Sequence, residues 1–170
     1  MALISLFTAV ISICSWLTIP AAVPFTLQTF AVFCSMFILG GKRSLISATL
    51  YLMLGAIGIP VFSGMRGGIG VLLGGTGGYI FGFFFCTLAY LIITEIFGSG
   101  KITRLFAAVS GICVCYFFGT VYFVILHMNK ENPISFGTAL LTCVVPYVGW
   151  DIIKLVTAFI VSERIRGVIY

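Results

Sequence analysis

Charge is what this sequence has least of. Of 170 residues only nine are Lys or Arg and four are Asp or Glu, 8% in all, against about 25% in an ordinary soluble domain. So few charges leave no way to coat a globule in water. A soluble enzyme, a secreted disulfide scaffold and a nucleic-acid binder are therefore excluded, despite a net charge of +5 and a pI near 9.0. Histidine is nearly absent as well, with one residue, His127. None of the six cysteines forms a CxxC pair or lies at metal-ligand spacing from that histidine, so no metal site is expected and the cysteines read as small apolar helix residues. No basic residue precedes the first apolar run, Met1-Ala2-Leu3 onward, and no typical signal peptide is expected. The signatures of enzymes are missing too: no HExxH, no Gly-x-Ser-x-Gly, and no Gly-x4-Gly-Lys-Ser/Thr phosphate loop. Any ATP that drives this protein must be hydrolysed by another chain.

Apolar residues make up 61% of the chain, and the mean hydropathy is +1.26. The expected fold is an all-α membrane protein forming a single domain over residues 1–170. A span of the ~30 Å hydrocarbon core takes about 20 residues, and shorter ones are tolerated. Apolar runs between Gly, Pro and charged interruptions predict six spans: Leu3 to Ile19, Leu27 to Leu39, Leu45 to Ile59, Gly78 to Phe97, Leu105 to Leu126, and Gly149 to Ser162. A short outer helix, Ser135 to Val145, is expected ahead of a break at Pro146 and Gly149. Six spans put Lys42, Arg43, Lys101, Arg104, Arg164 and Arg166 on one side, and Arg66 and Lys130 on the other. The positive-inside rule then places both termini in the cytoplasm.

The outward segments are rich in Gly, Pro, Thr and aromatic residues. Nine glycines crowd between Gly64 and Gly82, so that backbone there can approach a ligand or another surface closely. Glycine-rich outer loops capping a substrate cavity are the expectation, with tight helix packing as the alternative for Gly78 and Gly82.

Asp151 and Lys154 are the most informative pair. Spaced i, i+3, they share one helix face, and ionisable groups inside a membrane mark a functional site or a mutually satisfied brace. The carboxylate can accept from ligand N–H groups while the ammonium donates to a carbonyl or carboxylate. Arg66, the only charge in the glycine-rich loop, is either a solvated arginine or a fork for a substrate carboxylate. Glu95 reads as an interfacial contact close to Lys101 and Arg104. His127, Lys130 and Glu131 read as solvated, and Glu163, Arg164 and Arg166 as a cytoplasmic collar.

The outer segments also resemble a known family. Val23-Pro24-Phe25-Thr26-Leu27-Gln28-Thr29, the run Leu52 to Phe62 (LMLGAIGIPVF), the run Gly67 to Phe83 (GGIGVLLGGTGGYIFGF) and Asp151-x-x-Lys154 are similar, in the same order, to motifs of BioY proteins. These are the biotin-binding S components of energy-coupling factor transporters. The resemblance spans nearly the whole chain. It implies six transmembrane helices in the cell membrane, capture of biotin from outside, and delivery powered by a transmembrane coupling subunit and two ATPases. Asp151 and Lys154 would engage the ureido end, and the carried-over site takes in Thr26, Gln28, Thr76, Gly77, Gly78 and Tyr79. Three motifs depart from the family pattern. Gly75 stands where the family has Pro, and Gly149-Trp150 replaces Pro-Gly and puts an aromatic beside the site. Thr8-x-x-x-Ser12 replaces the Ala-x-x-x-Ala docking face, keeping residues small enough for close helix approach.

Chemically, a ureido ring would pair with Asp151 and Lys154. The apolar thioether ring would suit Tyr79, Trp150 or Tyr147, and the carboxylate needs a cation or several amides, which Arg66 and the glycine loop supply. Whether Arg66 or Lys154 meets that carboxylate is left open by the sequence. A self-sufficient carrier or channel for another solute, and a ligand-free structural subunit, are the competing readings.

Overall fold

The computed structural model describes residues 1–20, 23–128 and 134–169, with side chains through Ile165. Its helices are α1 (Ala2–Trp16), α2 (Gln28–Leu39), α3 (Gly41–Ala56), α4 (Ile69–Leu72), α5 (Gly77–Phe97), α6 (Lys101–His127), α7 (Phe136–Cys143) and α8 (Val145–Ile169). Two short strands, β1 (Thr18–Ile19) and β2 (Phe25–Thr26), pair antiparallel with Thr18 opposite Thr26. Among the described residues, three helices are long and apolar enough to cross a membrane: Gly77–Phe97, Lys101–His127 and Val145–Ile165. The chain is a helical membrane protein.

α2 is the hub. It packs on α1, α3, α5, α6 and α8, and every residue from Ala31 to Leu39 is buried. A helix apolar on all sides belongs in such a place. Its twelve residues reach only about 18 Å, which is tolerable where neighbours shield its ends from lipid. Hydroxyls that would be orphans in this core bond to carbonyls one turn back, as Ser35 does to Val32 and Thr87 to Phe83.

The most extensive packing joins α5 to α6. Gly78, Gly82 and Cys86 on one helix face Gly119, Cys115 and Gly111 on the other. A Cβ at Gly82 would stand 2.6 Å from Cys115 Sγ, and one at Gly111 would stand 2.7 Å from the Cys86 carbonyl. Small residues four apart let the two backbones meet closely.

Several elements depart from the sequence expectation. The first apolar run stops being helical at Trp16, because Thr18 and Ile19 join the hairpin that leads into α2. The last break falls at Val144, whose φ of −124° ends α7. Pro146 and Gly149 then lie inside α8, since a proline in a first turn removes an N–H that has no helical partner anyway. Glu95 pairs with Lys42 at 3.3 Å, not with Lys101 or Arg104. Those two hold Glu163, at 2.9 and 2.7 Å. His127 is half-buried, stacked on Phe123 and bonded through Nδ1 to the Phe123 carbonyl. Lys130 and Glu131 lie outside the described residues.

Candidate functional site

The site is built where α8 passes the first turn of α2. Thr26 Oγ1 accepts the Gln28 N–H at 3.2 Å and so helps start that helix. Thr29, in the same turn, donates to Asp151 Oδ1 at 2.8 Å. A carboxylate beside a helix N-terminus is favoured by the macrodipole. Lys154 Nζ donates to Asp151 Oδ1 at 2.9 Å, to Thr29 Oγ1 at 3.0 Å and to the Thr26 carbonyl at 2.8 Å. It also lies 4.2 Å from the centroid of the Phe25 ring, a cation–π contact. From α6, the Tyr116 hydroxyl donates to Asp151 Oδ2.

Asp151 and Lys154 are 7% and 8% exposed. Burying two charges costs several kcal/mol per ion, and only a geometry with the remaining donors and acceptors satisfied offsets that cost. Here α2, α6 and α8 together with strand β2 supply it.

A cavity opens beside this network, walled by Phe25, Phe83, Ile112, Tyr147 and Tyr79 as well as Asp151 and Lys154. Behind the Val23–Thr26 segment lies a second one, lined by Gln28, Ser63, Arg66, Thr76 and Ile80. Val23, Pro24, Thr26, Tyr79 and Phe83 line both, so the two are lobes of one site. Each lobe has its own cation. Arg66 is exposed and donates from Nε to the Ser63 carbonyl at 3.1 Å, while a backbone bridge from Phe62 to Arg66 holds its loop. Gln28 Nε2 is buried without a partner among the described residues.

The structure therefore brings Asp151, Lys154, Thr26 and Tyr79 to one lobe, and Gln28, Thr76 and Arg66 to the other. Three expected residues line neither. Gly77 and Gly78 are buried packing positions, where a Cβ would strike the Leu72 carbonyl and the Tyr122 side chain respectively. Trp150 is 57% exposed and braces Phe25 from outside, ring centroids 5.8 Å apart. On α1, Thr8 and Ser12 are only 4% and 6% exposed. Thr8 Oγ1 bonds to Ser47 Oγ on α3 at 3.1 Å, so the two form the floor of an α1–α3 groove whose outer wall includes Ser5, Ala9 and Ile13. Thr29 and Tyr116 are not among the residues expected from the sequence. Their hydroxyls sit in helical runs where such groups ordinarily bond to their own backbone, and no spacing marks them.

These features define a membrane-embedded helical bundle with a two-lobed polar site between the ends of α2 and α8. The chain belongs to the BioY family, which it matches over residues 1–169. It is 37% identical over 162 residues to the biotin transporter BioY of Thermotoga maritima, covering 95% of this chain and 92% of that one. It is 36% identical over 167 residues to the probable biotin transporter BioY of Pyrococcus horikoshii, covering 97% and 94%. Its fold matches the crystal structure of the S component for biotin from an ECF-type ABC transporter. The TM-score is 0.84 with 26% identity, over 98% of this chain and 89% of that one.

Proposed function

We propose that this chain is the biotin-capturing membrane subunit of an ATP-driven uptake transporter. One observation carries the reading: the buried Asp151–Lys154 pair faces a cavity in a chain whose relatives are named biotin transporters. The ureido end of biotin would occupy the Asp151 lobe and its carboxylate the Arg66 lobe, with the bicyclic ring between them on Tyr79 and Phe83. α1, α2, α3, α5, α6 and α8 would form one six-span domain in the cell membrane, with both termini cytoplasmic and the site outward. A transmembrane coupling subunit and a pair of ATPases would power delivery. The α1–α3 groove, with Thr8 and Ser12 at its floor, would be where the coupling subunit docks.

The test is calorimetric titration of the detergent-purified protein with biotin. Tight binding is expected, and Asp151→Asn should weaken it about tenfold to a hundredfold, the span of one or two charge-assisted hydrogen bonds. Micromolar or weaker binding that Asp151→Asn leaves unchanged would overturn the proposal. Biotin flux into proteoliposomes lacking any ATPase would instead make the chain a self-sufficient carrier.

A further inference from the structure

The loop that carries Arg66 is held from the end of α1 and the start of β1. Where it leaves α3, the Pro60 carbonyl accepts from Trp16 Nε1 at 2.8 Å, and the Val61 carbonyl accepts from Ser15 Oγ at 2.5 Å. Two residues on, Ser63 Oγ lies 3.2 Å from Thr18 Oγ1. The Thr18 proton goes to the Ser15 carbonyl at 2.5 Å, so Ser63 is the donor in that pair.

The loop itself leaves no slack. Phe62 and Arg66 exchange backbone hydrogen bonds, with N–H to carbonyl distances of 2.9 and 3.3 Å. Between them Gly64 and Met65 turn the chain with φ of +71° and +56°. A positive φ is uncommon for a residue such as methionine and persists where the surroundings over-determine it. Phe62 is fully buried, its ring filling the space left by the absent side chain of Gly55 and standing 5.4 Å from the Tyr51 ring.

This segment has two faces. Pro60 and Val61 wall the α1–α3 groove together with Trp16, whereas Ser63 and Arg66 line the second lobe. Ser15, Trp16 and Thr18 line neither lobe. A movement at the end of α1 nevertheless reaches Arg66 through two carbonyls, Ser63 and the Phe62–Arg66 bridge.

We propose that Trp16, with Ser15 and Thr18, is a positioning residue for Arg66: the end of α1 sets where the guanidinium stands in the second lobe. The inference rests on the reading that this lobe takes the biotin carboxylate. A charge-assisted contact depends on distance and direction. A loop freed from α1 spends part of its time with the guanidinium out of reach, and affinity falls by the fraction of the competent state that is lost.

The experiment uses Trp16→Phe, which keeps an aromatic ring and removes the indole N–H. Without ligand, amide hydrogen exchange of residues 61–68 should quicken about threefold to tenfold, the span of one neutral hydrogen bond. Unchanged exchange overturns the proposal. With ligand, the ratio of biotin to biotinamide affinity should fall by about the same factor. In an Arg66→Ala background, Trp16→Phe should leave that ratio where Arg66→Ala alone puts it. Equal weakening of both ligands, or a ratio that falls as far again without Arg66, overturns the proposal. Should Trp16→Phe not fold, Thr18→Val, which cuts the tie to Ser63, is read by the same two measurements. A wild type that binds no biotin refutes the function underneath, while ligand-free exchange still decides whether α1 holds the loop, so the two failures are distinct.

Discussion

At the scale of single residues, the site shows which side chains a sequence can reveal. Asp151 and Lys154 are legible because two charges on one face of an apolar helix must either face a polar site or satisfy each other. Arg66 stands out as the one charge in the glycine-rich loop, and it lines the second lobe; its role in recognition is a prediction. Arg66→Ala should weaken biotin about tenfold, the span of one charge-assisted contact to a carboxylate at a partly solvated site. The same change should leave binding of biotinamide, which has no carboxylate, almost unaltered. Parallel titrations of the two ligands check this, and equal losses for both would remove Arg66 from ligand recognition. Thr29 and Tyr116 are the opposite case. A threonine or tyrosine within a membrane helix has several ordinary ways to satisfy its hydroxyl, so only the fold shows that both converge on Asp151. Trp150 fails for a directional reason. It precedes Asp151, and neighbouring helical residues diverge by about 100°. The side that turns Asp151 into the cavity therefore turns Trp150 out of it.

At the scale of elements, hydropathy locates the helices but not the way their ends are built. Leu27 to Leu39 was readable as a short apolar run, and its shortness is explained by burial on all sides as the hub. The β1–β2 hairpin was not readable, because two residues per strand give no alternation to detect. Trp16 and Thr18 anchor it to the loop after α3, through the Pro60 carbonyl at 2.8 Å and Ser63 Oγ at 3.2 Å. Such contacts across more than forty residues lie beyond any local pattern. The α5–α6 seam also shows which half of the glycine expectation applies where. The helix-borne glycines Gly78 and Gly82 serve close packing, whereas the loop around Gly64 and Gly68 uses positive φ, +71° and +96°, to turn. Gly82→Leu should therefore overpack the seam and cost about 1–3 kcal/mol. Gly137→Ala, in α7 with nothing within 4 Å of the added Cβ, should be neutral or stabilising by up to about 1 kcal/mol. Thermal melting of the purified protein in one detergent compares them, and equal midpoints would mean that the seam yields.

At the scale of the whole molecule, the two ends of the bundle are held differently. One end is hydrogen-bonded loop and hairpin around the cavity. The other is tied by ion pairs, Lys42 to Glu95 and Lys101 with Arg104 to Glu163. Arg104 is buried against Phe159, 5.7 Å from its ring centroid; Nη2 bonds to Glu163, while Nε and Nη1 have no hydrogen-bond partner among the described residues. Removing its carboxylate alone strands a buried charge, which costs about 3 kcal/mol or more. Glu163→Gln should thus melt earlier than the double variant Glu163→Gln with Arg104→Met, in which no charge is stranded. If the double variant is the less stable, the pair is a net stabiliser.

The same ion pairs gather the α2–α3 turn, the α5–α6 turn and the end of α8 at one face of the bundle, which is the arrangement that a six-span topology with cytoplasmic termini requires. On the proposed topology, the positive-inside rule would make that face cytoplasmic and the Arg66 loop outward. Met65 and Ser99, both exposed, stand in the two opposing loops and make the assignment measurable. In intact cells, a membrane-impermeant maleimide should label Met65→Cys at once and Ser99→Cys only after lysis. The unsubstituted chain sets the background, since its own exposed thiol, Cys113, lies in the middle of α6, at lipid depth and away from the aqueous reagent. Labelling in the opposite order would turn the cavity toward the cytoplasm, and a site facing that way could not capture a solute from outside.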